Sequence, residues 1–281
     1  MTNVAIFGAA GNMGTRACSR LKKYPDYNIL YVELMPAGVE KLTARGDTPT
    51  SVDDACKTAD IILMAIADKF IPKVVQDVVP KMKAGAMLMT LDPAAAYAGA
   101  LPQRHDVTYF VTHPTHPPLY NDETTDQARK DYFGAGFAKQ SIVSALVQGP
   151  ESDFVIGETL AKRYFEPIIH SHRVTLEQLA MLEPAMSETC GATFIVALKE
   201  ALDECIRRGV PEQAAKDFML GHINVQLAIV FQAIDWKMSD GAYLVIKNAM
   251  GRIFKPDWKD VFNPAEVKTS VRKIVGMETV E

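Results

Sequence analysis

The sequence predicts an α/β fold: an N-terminal doubly wound parallel sheet followed by an all-helical C-terminal domain. Three observations carry this. Short β-rich apolar runs alternate with helical stretches from residue 1 to about 150, a pattern that calls for parallel strands joined by crossover helices. A Gly-x-x-Gly-x-x-Gly segment, Gly8 to Gly14, directly follows the first of those runs. Beyond residue 176 the strand signals stop and two long helical stretches take over.

Taken in order, strands are expected near 3–8, 28–33, 60–66, 86–91, 107–112 and 141–148. Helices fall between them near 12–23, 36–45, 51–58 and 70–83. Successive residues of the run Ile61, Ile62, Leu63 and Met64 are apolar, so both faces of that strand are covered and it belongs at the centre of the sheet. A helix near 152–165 and a short strand at 172–175 close this part of the chain. Helices over 176–208 and 211–238 follow, broken at Gly209. The expected division is therefore a sheet domain of 1–173 and a helical domain of 174–281. The helices carry more apolar surface than so small a unit can cover alone, which predicts a homodimer sharing a core.

Composition narrows the function. With 30 Lys and Arg against 34 Asp and Glu in 281 residues, the net charge is -4 with both signs interspersed, which offers no basic surface to nucleic acid or an anionic membrane. A hydrophobic share of 48% and a charged share of 23% are those of an ordinary globular protein. No apolar run approaches the roughly 20 residues of a membrane span. The first residues enter a strand pattern at once, without the features of a secretory signal. Cys18, Cys56, Cys190 and Cys205 are widely spaced, which suggests neither a disulfide framework nor a thiolate metal site. A reducing cytoplasm is the expected compartment.

The glycine segment is where chemistry first shows. Gly8, Gly11 and Gly14 permit a tight turn and close approach to a pyrophosphate, while Asn12 and Met13 begin a helix whose unpaired N–H groups face the phosphate charge. Glu33 ends the second strand, 19 residues after Gly14, where a carboxylate accepts hydrogen bonds from a ribose and repels a 2'-phosphate. Leu34, Met35 and Pro36 add no arginine to hold such a phosphate. The reading is a Rossmann-type domain that takes NAD rather than NADP. Asp68 and Asp92 each follow an apolar strand at the ligand-binding edge, where each either touches the cofactor or caps the next helix.

His113 and His116 stand in the turn Thr112-His113-Pro114-Thr115-His116-Pro117-Pro118, where imidazole serves as acid, base or metal ligand. The long segment 114–133 that follows interrupts the alternation and is read as functional. His170 and His172 share one side of a strand, but no cysteine or carboxylate of matching spacing accompanies them. In the helical half, Glu183 and Glu188 interrupt an apolar stretch. Five residues on an α-helix turn through about 500°, leaving them roughly 140° apart unless Pro184 bends the helix. His222 and Gln226 share a face of the next helix.

These segments resemble a known group. The Gly8 to Gly14 segment with Asn12-Met13, the Thr-His-Pro turn and the helical second half are similar to the superfamily of 6-phosphogluconate, β-hydroxyacid and prephenate dehydrogenases and ketol-acid reductoisomerases. Glu200-Ala201-Leu202 followed by Arg207-Arg208-Gly209-Val210 resembles the end of the long interdomain helix in β-hydroxyacid dehydrogenases. Counted back from that anchor, the catalytic lysine of those enzymes falls near Glu183-Pro184 and its partner asparagine at Glu188, and this chain departs from both. Lys199 lies too late in the helix to replace that lysine. Acidic residues there resemble a metal-assisted reductoisomerase instead.

The Gly-Ala-x-Gly-Asn-Met-Gly opening, the Thr-His-Pro-x-His-Pro-Pro turn and the Glu-Pro-Ala-Met-Ser-Glu-Thr segment look most like the D-apionate oxidoisomerase family. That resemblance implies NAD-dependent oxidation of a branched sugar acid at C2, followed by hydroxymethyl migration to 3-oxo-isoapionate. The residues expected to carry it are His113, His116 and Glu188, with a divalent metal such as magnesium held by Glu183, Glu188 and His222. A dehydrogenase of another 2- or 3-hydroxy acid acting without rearrangement is the alternative enzyme, and an NAD-sensing module the alternative outside catalysis.

Overall fold

The computed structural model describes residues 1–278, so the last three residues assigned to the helical domain lie outside the described residues. Seven strands form one sheet: β1 Thr2–Phe7, β2 Tyr27–Val32, β3 Ile61–Met64, β4 Met87–Thr90, β5 Thr108–Pro114, β6 Gln140–Gln148 and β7 Ile168–Arg173, in the order β2-β1-β3-β4-β5-β6-β7. The first five are mutually parallel. Their crossovers carry α1 Asn12–Leu21, α2 Pro36–Ala44, α3 Val52–Thr58, α4 Ile71–Val78 and the short α5 Ala94–Tyr97.

β6 departs from the parallel pattern and runs antiparallel to β5. A parallel neighbour needs a crossover helix long enough to return across the sheet. Between β5 and β6 the chain holds only α6 Asp126–Arg129, so it turns at the carboxyl edge and comes straight back. α7 Ser152–Phe165 then provides a crossover, and β7 lies parallel to β6.

The central strand behaves as its sequence demands. Ile61 and Leu63 pack on one face with Ile6, Met89 and Phe110, against Leu21 of α1 and Leu160, Tyr164 and Phe165 of α7. Ile62 and Met64 pack on the other face with Phe7 and Leu88, against Val75 and Val78 of α4. Each such side chain taken fully out of water contributes about 1.5–3 kcal/mol.

By its internal contacts the chain divides into a sheet unit, residues 1–184 with 267 onward, and a helical unit, 185–266. The sequence pattern places the change of character near 173, but α8 Leu176–Ala180 stays with the sheet because Leu176, Leu179 and Leu182 pack on Val111, Val143 and Ala145. The C-terminal α12 Pro264–Ile274 also rejoins it, through Val271, Ile274 and Val275. From Met181 to Ala192 the helix is a π-helix with Pro184 inside it. The helical unit continues with α9 Thr193–Arg207, α10 Glu212–Val230 and α11 Asp240–Ile253. Thus the stretch expected as one helix over 176–208 is three segments, and α11 lies in the part of the expected helical domain for which no helix bounds were assigned.

Candidate active site

In a doubly wound sheet the ligand crevice opens beyond the carboxyl ends of the strands, where crossovers depart to opposite sides. Here β2 lies to one side of β1 and β3 to the other. The glycine loop sits at that point. Gly8 has φ +81°, and a Cβ on it would lie 2.5 Å from the Ala65 carbonyl oxygen. A Cβ on Gly14 would lie 2.0 Å from the Gly8 carbonyl oxygen, so α1 can approach the turn only with glycine there. Gly11 caps α1 with no side-chain hydrogen bond, which leaves the first-turn N–H groups of Asn12, Met13 and Gly14 for an anion. Glu33 follows β2 and its Oε1 accepts the Ala10 N–H at 2.6 Å. The carboxylate is thereby drawn to the loop that takes the dinucleotide.

Along the same edge a second cluster is built from side chains. Asp68 follows β3, Asp92 follows β4, His113 is near the end of β5, and Glu183 comes from the start of the π-helix. The ligating atoms of Asp92, His113 and Glu183 all lie within 4.8 Å of one another. His113 Nδ1 is 2.8 Å from the Leu91 carbonyl oxygen. A carbonyl only accepts, so Nδ1 carries the proton in the neutral ring, and the basic Nε2 stands 3.4 Å from Glu183 Oε2. Asp92 Oδ1 accepts the Ala94 N–H at 2.7 Å, while its Oδ2 is 3.9 Å from His113 Nδ1.

Their electrostatics are those of crowded, part-buried acids. Burial, reinforced by Asp92 and Glu183, pushes the Asp68 carboxyl up to about 6. Burial raises Asp92, opposed by the Ala94 N–H and by His113. Glu183 is raised by burial and by Asp92, with His113 opposing. Among the described residues the ion-pair partner of Asp92 and of Glu183 is His113. Two carboxylates and an imidazole with ligating atoms this close, Asp92, Glu183 and His113, suit a divalent cation with oxygen and nitrogen ligands.

His116 is adjacent, its ring perpendicular to that of His113 at 6.2 Å between centroids. Its backbone has φ 59° and its Nδ1 meets the Phe133 carbonyl oxygen at 3.3 Å. Burial first, then His113 and Arg16, hold this imidazole below its ordinary pKa.

The structure thus joins Asp68 and Asp92, expected as cofactor contacts or caps, to His113 and Glu183. Asp92 is not the N-cap of α5, which is Pro93, though its carboxylate accepts the Ala94 N–H. Glu188 and His222 belong to the helical unit. There the His222 ring stacks on Phe218 and its Nδ1 meets the Phe218 carbonyl oxygen at 2.9 Å. The segment Met181–Ala192 is a π-helix, with hydrogen bonds from i to i+5, so the α-helical spacing expected between Glu183 and Glu188 does not apply. Lys199 is paired with Asp203 on the surface of α9. His170 and His172 lie side by side on β7, 5.8 Å between ring centroids. Sequence reasoning named Asp92, His113 and Glu183 in separate roles and did not group them. The one available signal was that Asp92 and His113 both end strands on the ligand edge.

Comparison with known proteins agrees with this architecture. Residues 2–120 match the acetohydroxy acid isomeroreductase, NADPH-binding domain, and residues 121–275 match the phosphogluconate dehydrogenase (decarboxylating) C-terminal family. The D-apionate oxidoisomerase of Rhizobium rhizogenes is 47% identical over 98% of this chain and 100% of its own length. That of Cupriavidus necator is 45% identical over 96% of this chain and 98% of its own. A semialdehyde dehydrogenase NAD-binding protein from Cupriavidus necator, solved in complex with calcium and NAD, superposes with a TM-score of 0.94 at 44% identity, covering 98% of this chain and 99% of that one. A glycine-bounded dinucleotide loop, an adjoining acid and imidazole cluster and full-length relatives at this identity converge: the chain belongs to the D-apionate oxidoisomerase family.

Proposed function

We propose that this protein oxidises D-apionate with NAD and rearranges the product to 3-oxo-isoapionate. The observation that carries the reading is the Asp92, His113 and Glu183 cluster on the same sheet edge as the glycine loop. Such a site supplies what the chemistry needs. In the first step the C2–H hydride passes to the nicotinamide while a base takes the C2 hydroxyl proton. In the second, the tertiary C3 hydroxyl loses its proton, a hydroxymethyl group moves with its bonding pair from C3 to the C2 carbonyl carbon, and the C2 oxygen is protonated as C3 becomes the ketone.

Glu33, beside the loop and without an arginine at Leu34, Met35 or Pro36, favours NAD over NADP. Asp92, His113 Nε2 and Glu183 would hold a divalent cation, which would supply Lewis acidity toward a carbonyl or hydroxyl oxygen. His113 Nδ1 is tied to Leu91, which fixes the ring with Nε2 toward Glu183. His116, held below its ordinary pKa chiefly by burial, is the group assigned to move the hydroxyl protons.

α11 has no buried residue and exposes Leu244, Val245 and Ile246, and α10 buries only Ala215 while exposing Phe218 and Leu220. Apolar helices of this kind need cover, and a second copy of the chain supplies it. The four free cysteines and the demand for NAD suit the cytoplasm.

The purified protein given D-apionate and NAD is expected to produce NADH, read by absorbance, and a rearranged 3-keto product, read by NMR. Accumulation of an unrearranged 2-keto acid would sink the isomerase half. Activity lost in EDTA and restored by magnesium supports the metal, whereas indifference to chelation removes it. Light scattering should give twice the chain mass.

A further inference from the structure

The segment between β5 and β6 is pinned by side chains that the proposed chemistry does not use. Asp131 accepts the N–H groups of Ala135, Gly136, Phe137 and Ala138. Arg20 of α1 donates Nη2 to the Ala135 carbonyl at 2.8 Å. One turn earlier, Arg16 donates Nη1 to the Phe133 carbonyl at 3.3 Å. That same carbonyl accepts from His116 Nδ1, and the Phe133 ring stands edge-on to the His116 ring at 5.8 Å.

Arg16 is a poor choice on stability grounds. Its Nε and Nη2 are buried with no acceptor among the described residues, and the guanidinium lies over the rings of Tyr164 and Phe165 at 5.8 and 5.4 Å. Each unsatisfied buried donor is destabilising, and contact with the rings only partly offsets this. An apolar side chain of the same length would fill the space without that cost. What the guanidinium adds is its bond to the Phe133 carbonyl.

We infer that Arg16 is a positioning residue for the reaction: through the Phe133 carbonyl it fixes the ring orientation and the Nδ1–H tautomer of His116, leaving Nε2 as the basic nitrogen. His116 needs such a hold because its backbone sits in the left-handed region, which a non-glycine residue keeps only when its surroundings enforce it. Arg16 stands on α1 just beyond the first turn that receives the dinucleotide, so the same helix sets both cofactor and imidazole. The inference rests on the role given to His116 above.

Full-length enzyme with Arg16→Met and Arg16→Lys tests it. Long-range proton–nitrogen NMR of the imidazoles, with the His116 signal identified by its loss in His116→Gln, should show the Nδ1–H tautomer in the unsubstituted protein and a mixture in Arg16→Met. The kcat of Arg16→Met should fall about tenfold or more, as expected when a catalytic group is misplaced, while the KM for NAD stays within about twofold. Arg16→Lys, which can still reach the carbonyl, should recover most of the loss. An unchanged tautomer and kcat in Arg16→Met overturns the inference, as does loss of NAD binding in step with kcat and no rescue by lysine. If Arg16→Met does not fold, Arg16→Gln carries the same measurements. Failure of the underlying reading is distinct: His116→Gln would then keep full kcat.

Discussion

The two halves of the sheet's carboxyl edge are built on opposite principles. The β1 and β2 half is made of backbone: the glycine turn, the bare N–H groups of α1 and one carboxylate drawn onto the loop. The β3 to β5 half is made of side chains, Asp68, Asp92, His113 and Glu183, gathered from four separate segments and part-buried, with His113 opposing the mutual repulsion of the acids. A backbone site binds a common cofactor through geometry that any sequence with correctly spaced glycines can form. A side-chain site does chemistry because its acids are held where their ionisation is costly. The first half should therefore govern binding and the second half turnover.

That separation can be broken experimentally. The largest effect is expected from Glu183→Gln, which keeps the shape and removes the charge: kcat should fall about 100- to 10,000-fold, with NAD affinity by fluorescence titration within about twofold. Equal loss of both would abolish the distinction. Gly14→Ala attacks the other half. Its methyl group has no room beside the Gly8 carbonyl, and overpacking of about 1–3 kcal/mol should weaken NAD binding by roughly 5- to 150-fold and lower the melting temperature. Glu33→Ser should narrow the preference for NAD over NADP by about tenfold, by removing the charge that repels a 2'-phosphate, and leave kcat with saturating NAD unchanged.

The smallest effect sharpens the comparison through pH. Asp68 titrates at about 6 in the fold, above its ordinary 3.8, because burial and Asp92 disfavour its charge. The folded state therefore binds the proton more tightly than the unfolded chain, and stability falls as pH rises from about 4 through about 6. Asp68→Asn should raise the melting temperature by a few degrees at pH 8 in EDTA and leave it unchanged near pH 3. No gain at pH 8 would mean that the acids of this half are not strained by their neighbours.

Much of the first half was legible because its determinants are local. The glycine spacing, the strand before it and Glu33 after β2 all lie within one βαβ unit, and each has a single geometric reading. Strand β3 was legible for a similar reason, since four successive apolar residues need two covered faces. The reversal at β6 was not, because it depends on the absence of a long crossover helix between Pro114 and Gln140, where only α6 forms. The π-helix was also hidden. Its residues read as an ordinary helix with a proline, and α-geometry then sets Glu183 and Glu188 on different faces.

From the sequence by itself came the two-part α/β architecture and the dinucleotide edge. Periodicity, turn residues and strand ends are properties of neighbouring positions, which the chain spells out directly. Only the tertiary structure decided the grouping: that Glu183 meets Asp92 and His113, that Asp68 joins them, and that Arg16 reaches the carbonyl that holds His116. Such contacts depend on how strands order in the sheet and how α1 lies under the β5 to β6 segment. Those arrangements are set by packing between distant segments, which no local pattern records.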